Sequence, residues 1–263
     1  MSEVTFEFGS LILHGNSAAT QPNFDADLDP DVRNARTNAD LTIYMRVFLQ
    51  RHTPPAGTTT YPVHDGTQVP VRAWTDLEWT RFTGRYQRET SQFWSGKFWL
   101  RTPDTFRRLD WPATSPTHRC NVYCRFEMSV VTTAEGAHAI IPVVCVNGAH
   151  TFRSNALLYS NRSIEGRQYA AASSRFFTHL HEVGHLLGLS HPGVETSTPG
   201  CVNGGEMACY AVDPDSVLGL GSTLRDAHAQ PWRKAISLLT STREADWTIK
   251  RRREYPRRIT GQP

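Results

Sequence analysis

At 263 residues, 39% of them hydrophobic and 10% aromatic, the chain can bury a core of full domain size, which excludes disorder as a description of the whole. The formal charge of +3 comes from the C-terminus, where Lys250, Arg251, Arg252, Arg253, Arg257 and Arg258 face one acid, Glu254. The body is near neutral, and with no fold-level nucleic-acid motif beside the basic run, a solvated tail is expected and a nucleic-acid partner is not.

Residues 1–38 read as an N-terminal strand and loop addition. The opening MSEVTFEFGSLILHG has acids where a signal peptide needs Lys or Arg, so signal-led export is not expected, and no stretch approaches the ~20 apolar residues of a membrane span. DADLDPDV places Asp25, Asp27, Asp29 and Asp31 in alternation, like the first half of an EF-hand loop but without its glycine and closing Glu. Leu41, Ile43, Met45, Val47 and Leu49 then alternate with polar or mixed residues, the period of a half-buried strand. A Pro, Gly and Thr loop leads to Trp74. Thr75 is placed to cap a helix running to about Trp94, with Trp79, Phe82 and Tyr86 on one face. The segment between His52 and Trp99 is expected to shape one wall of a cleft.

KFWL reads as a short strand and NVYCRFEMSVVTT as a longer one. The turn at 134–137 leads into AIIPVVCV, so these last two are expected to form a hairpin. Another strand is expected within 155–160. SSRFFTHLHEVGHLLGL has a helical apolar pattern, with Ser173 or Ser174 as its cap. A last helix is expected over 222–239, interrupted or restarted at Pro231, before the basic tail at 246–263. Five cysteines leave at least one unpaired. Cys201 with Cys209, Cys124 with Cys145, and reduced buried thiols all remain open.

The string HEVGHLLGLSH, from His181 to His191, carries the chemistry. Residues i and i+4 return to one helix face, so His181 and His185 can present imidazoles to one ion. Gly188 can take positive φ, end the helix and swing His191 back as third ligand. Three neutral imidazoles leave a fourth position open to water, the pattern of a catalytic zinc site. Glu182, one residue after the first ligand, is placed to act as general base. Zinc suits an N-rich open tetrahedral site, although ligand identity alone is also compatible with Fe, Co or Mn. His179 points to another side of the helix, and the remaining histidines lack ligand spacing.

HEVGHLLGLSH resembles the long zinc motif of the metzincin peptidases, and FTHLHEVGHLLGLSHPG looks like the serralysin type. The resemblance implies a zinc-dependent endopeptidase acting on a protein or peptide substrate. It also implies an α/β catalytic domain at 39–245 with a twisted mixed sheet, an active-site helix and a C-terminal helical subdomain. The hairpin near 138–147 would be the sheet edge on which extended substrate pairs. Two departures stand out: the calcium repeats of serralysins are absent from this sequence, and the methionine turn of metzincins has two candidates. Glu206, Met207, Ala208, Cys209, Tyr210 is preferred, although Tyr210 falls one residue later than in the family. The alternative is 216–221, with Leu218 in place of Met. A looser likeness to the metallopeptidase toxin domains of type VI secretion spike (VgrG-type) proteins implies a secreted toxin. It would be delivered without a signal peptide to the periplasm of a target cell, with an immunity or inhibitor protein as partner. Competing readings are a metal-stabilised binding protein that cuts nothing and a hydrolase of cell-wall peptides.

Overall fold

The computed structural model describes residues 2–7, 22–30, 39–63, 66–109, 120–148, 150, 152, 154–201 and 206–251. The chain opens on two antiparallel strands, β1 (Ser2–Glu7) and β2 (Pro22–Asp29), and enters the long strand β3 (Ala39–Arg51). All five apolar residues of the expected alternation in β3 are buried. Strand β2 pairs with β3, so the N-terminal addition continues the main sheet. Asp25, Asp27 and Asp29 lie on β2, and Asp25 forms an ion pair with Arg46. Their alternation is therefore that of a strand and not of a calcium loop; Asp31 lies outside the described residues.

The short strands β4 (Thr60–Pro62) and β5 (Gln68–Arg72) pair antiparallel before α1 (Asp76–Trp94). Thr75 caps α1 as expected. Its hydroxyl accepts from the Glu78 N–H while the Glu78 carboxylate accepts from the Thr75 N–H, satisfying two donors at the helix start. Phe82 and Tyr86 are buried on one face, with Trp79 packed beside them.

Strands β6 (Phe98–Arg101), β7 (Asn121–Val131) and β8 (Ala139–Val146) follow. β7 and β8 do not form the expected hairpin. Both run parallel to β3, which lies between them, β7 along residues 39–48 and β8 along 47–51. Alternating burial fixes which face of a strand points inward but leaves its partner open. With 13 residues, β3 offers two successive docking stretches, and the link crosses it where the His138 N–H donates to the Arg46 carbonyl at 2.8 Å. Nor is β8 an edge: β5 pairs with it antiparallel and β9 (Tyr159–Ser160) parallel.

Beyond β9 a two-stranded pair, β10 (Gly166–Arg167) and β11 (Phe176–Phe177), leads directly into α2 (Thr178–Leu186). Ser173 and Ser174 are therefore not its cap. Ser173 bonds Asp215 through its N–H and hydroxyl, and the Ser174 hydroxyl accepts from the Ser222 N–H. Two short helices, α3 (Pro192–Glu195) and α4 (Glu206–Val212), precede α5 (Gln230–Thr240) and β12 (Thr248–Arg251). The expected last helix thus begins later, with a 3-10 turn at Asp226–Ala229 before it. Trp232, Ala235 and Ile236 face inward. β12 pairs with β6; the basic run from Arg252 onward lies outside the described residues.

The result is a mixed α/β fold whose sheet runs β12-β6-β7-β3-β8-β5-β4. Its apolar face shares one core with α1, α2 and α5. Among the described residues no helix is long and apolar enough to cross a membrane.

Candidate metal centre

Helix α2 is buried along its whole length. Its end is a glycine turn: Gly188 has φ 85°, and the Leu189 N–H donates to the Gly184 carbonyl at 3.0 Å, the back-bond expected when a left-handed residue follows a helix. That turn also orients a ligand, because the Leu189 carbonyl accepts from His185 Nδ1 at 2.8 Å. The chain then swings His191 back toward the helix. The three Nε2 atoms converge, 3.1 Å between His181 and His185, 3.0 Å between His185 and His191, and 3.3 Å between His191 and His181.

Protonation decides what these atoms can do. A carbonyl can only accept, so Nδ1 carries the proton in His185, and also in His181, whose Nδ1 donates to the Val217 carbonyl at 2.8 Å. In a neutral imidazole the other nitrogen then presents a lone pair. Lone pairs facing one another at this separation repel unless a cation lies between them. Bonds of ~2.05 Å at a tetrahedral angle put neighbouring nitrogens ~3.3 Å apart, close to the spacing found. The donor set therefore fits one divalent ion, and His181, His185 and His191 can hold it.

A turn beneath the helix supports the arrangement, and it is the one containing Leu218. Leu218 is fully buried, and its Cδ2 lies 2.6 Å from where a Cβ on Gly184 would sit, with Trp94 beside it. The place expected for Met207 is thus taken by Leu218; Met207 lies elsewhere. Its backbone lies in α4, and its side chain is outside the described residues. The turn is tight: a Cβ on Gly219 would approach the Asp213 carbonyl oxygen to 2.2 Å, so a side chain there is excluded. His228 fixes it from below. His228 Nδ1 accepts from the Arg225 N–H, so Nε2 donates to the Ser216 hydroxyl, which accepts from the Leu218 N–H as well. Sequence spacing gave no reason to single out His228, because its role is to hold a turn through Ser216.

A cleft of about 280 Å³ opens beside the histidines, lined by His181, Glu182, Thr178, Tyr210, Arg167 and Phe176, among others. Glu182 therefore shares a cavity with the first ligand. The Tyr210 ring stands edge-on to His191, centroids 4.9 Å apart, and Phe176 lies 5.1 Å from the His181 ring. The disulfide Cys201–Cys209 ties the start of this region to α4 next to Tyr210. Cys120, Cys124 and Cys145 are buried, and Cys124 and Cys145 do not pair with each other.

As expected from its place on the helix, His179 stays outside the triad: it is buried and packs against Tyr86, and desolvation pushes its pKa down to about 4, against a raising contribution from the Ser163 carbonyl. One expectation is corrected. The segment between His52 and Trp99 contributes none of the lining residues, because α1 packs behind α2. Neither protein-family models, nor curated proteins, nor solved structures give a match to this chain.

Proposed function

We propose that the chain is a zinc-dependent metallopeptidase of metzincin-like architecture. The observation that carries this reading is the convergence of the three Nε2 atoms within 3.3 Å, two of them held as lone-pair donors by backbone carbonyls, beside a cleft that contains a carboxylate. Bound there, zinc supplies Lewis acidity, bringing water deprotonation into the neutral range and drawing charge from a scissile carbonyl.

The chain's own groups do the rest. Glu182 accepts a proton from the attacking water and later delivers it to the departing amine nitrogen. The Val217 and Leu189 carbonyls hold His181 and His185 in the ligating tautomer. Tyr210 and Phe176 flank the imidazoles and line the same cleft as Glu182, lowering water access around the reacting groups. Support for the metzincin likeness comes from the order of parts: a ligand helix ended by glycine, a third ligand beyond it, and a tight turn beneath followed by a C-terminal helix.

Digestion of a peptide library and of purified peptidoglycan, each with and without chelator, tests the reading. Chelator-sensitive cleavage of library peptides is expected. Cleavage confined to peptidoglycan selects the cell-wall alternative, and metal binding without cleavage of either selects the binding-protein alternative.

A further inference from the structure

Arg167 lines the same cleft as His181 and Glu182. It sits on β10 opposite Phe176, the ring that packs on His181. Other guanidiniums in this protein face carboxylates: Arg72 with Glu78, Arg125 with Asp40, Arg225 with Asp213. Arg167 has no such partner among the described residues, and its Nη2 atom is shut off from solvent without any hydrogen-bond acceptor.

Arg167 as a whole is half-buried, and a charged donor without an acceptor is costly in proportion to its burial, so an acceptor that meets this side chain in the cleft gains a bond the protein itself does not supply. A guanidinium matches a carboxylate with two parallel N–H···O bonds. We propose that Arg167 is a specificity-determining residue that binds a substrate carboxylate beside the scissile bond. The carboxylate comes from an Asp or Glu side chain or from the C-terminus of a short peptide. This rests on the peptidase reading above.

The test uses peptides that differ only in Glu against Gln at each position around one cleavage site, each made as free acid and as C-terminal amide. Wild type is expected to prefer Glu at one position by at least about tenfold in kcat/KM, as expected when a site built to bond a polar group loses it. In Arg167→Gln the ratio falls to near one, Arg167→Lys keeps part of it, and Arg167→Glu inverts it so that the Gln peptide is cut better than the Glu peptide. A preference that follows the free terminus in place of the side chain identifies a C-terminal carboxylate as the ligand. No carboxylate preference in wild type, or a loss in Arg167→Gln that is equal for Glu and Gln peptides and for free-acid and amide forms alike, overturns the proposal while leaving the peptidase reading intact. If no variant cuts any peptide, that reading has failed. Calorimetric binding of the same pairs to chelator-stripped protein then decides for Arg167. Tighter binding of the Glu peptide by wild type alone supports it, and equal binding by wild type and Arg167→Gln overturns it.

Discussion

The contact between Gly184 and Leu218 allows a sharp test of which turn lies beneath α2. Replacing Gly184 by Ala places a methyl 2.6 Å from Leu218 Cδ2 and 3.4 Å from Trp94 Cζ2. Leu218 and Trp94 are fully buried, so neither moves freely. Overpacking of this kind costs about 1–3 kcal/mol, while Ala in place of Gly inside a helix returns up to about 1 kcal/mol. The net loss is roughly 0–3 kcal/mol, too variable by itself to identify the partner. The coupling is more telling. Leu218→Val removes a methylene and costs about 1 kcal/mol alone, yet it opens the space the new methyl needs. The double variant should therefore be more stable than the sum of the single effects by about 1–2 kcal/mol, a shift of a few degrees in Tm for a chain of this size. Urea unfolding should be followed on metal-free protein, since metal binding to the native state adds its own stabilisation. Additivity within about 0.5 kcal/mol would mean that Leu218 does not underlie Gly184, and the turn would have to be reassigned.

Glu182→Gln should lower turnover by about 10²–10⁴ while leaving bound zinc near the wild-type amount; turnover at the wild-type rate removes Glu182 as the base. The Glu78 carboxyl is held down to about 2, chiefly by its hydrogen bond from Arg72 and then by those from Thr75. A depressed carboxyl pKa gives stability that is present above the unfolded value and is lost as pH falls toward 2. The drop in urea midpoint of metal-free protein between pH 5 and pH 2.5 should thus be smaller in Glu78→Gln, and an equal drop in both proteins contradicts the assignment. Cys201–Cys209 closes a short loop, with a sequence separation of 8, worth on the order of 2–3 kcal/mol by loop entropy. Reductant should lower Tm in wild type and leave the Cys201→Ser/Cys209→Ser protein unaffected, whereas no change in wild type shows the bond to be absent in solution.

What could be read from the sequence was local. Strand β3 declared itself through alternation, α1 through the Thr75 and Glu78 cap, and the triad through helical spacing and one glycine. What could not be read was the choice among distant partners. β7 and β8 have the apolar pattern of hairpin strands, but β3 is long enough to accept them along successive stretches, one on each edge. Ser173 and Ser174 have the right chemistry to cap a helix, and tertiary contacts with Asp215 and Ser222 take them instead. Residue type alone favours Met207 over Leu218 for the turn, while the space beneath Gly184 asks only for an apolar side chain of suitable shape. His228 and Arg167 carry no spacing signal. Their roles follow from contacts across 12 residues in one case and from a missing acceptor in the other.

The central claim is that three imidazoles share one zinc ion and leave room for solvent. X-ray absorption at the zinc edge on protein reconstituted with one equivalent measures this directly. Three histidine nitrogens and one light solvent ligand at about 2.0 Å are expected, with the histidine contribution reduced in His191→Ala. A shell of four protein ligands, or one dominated by oxygen with fewer than three imidazoles, contradicts the account.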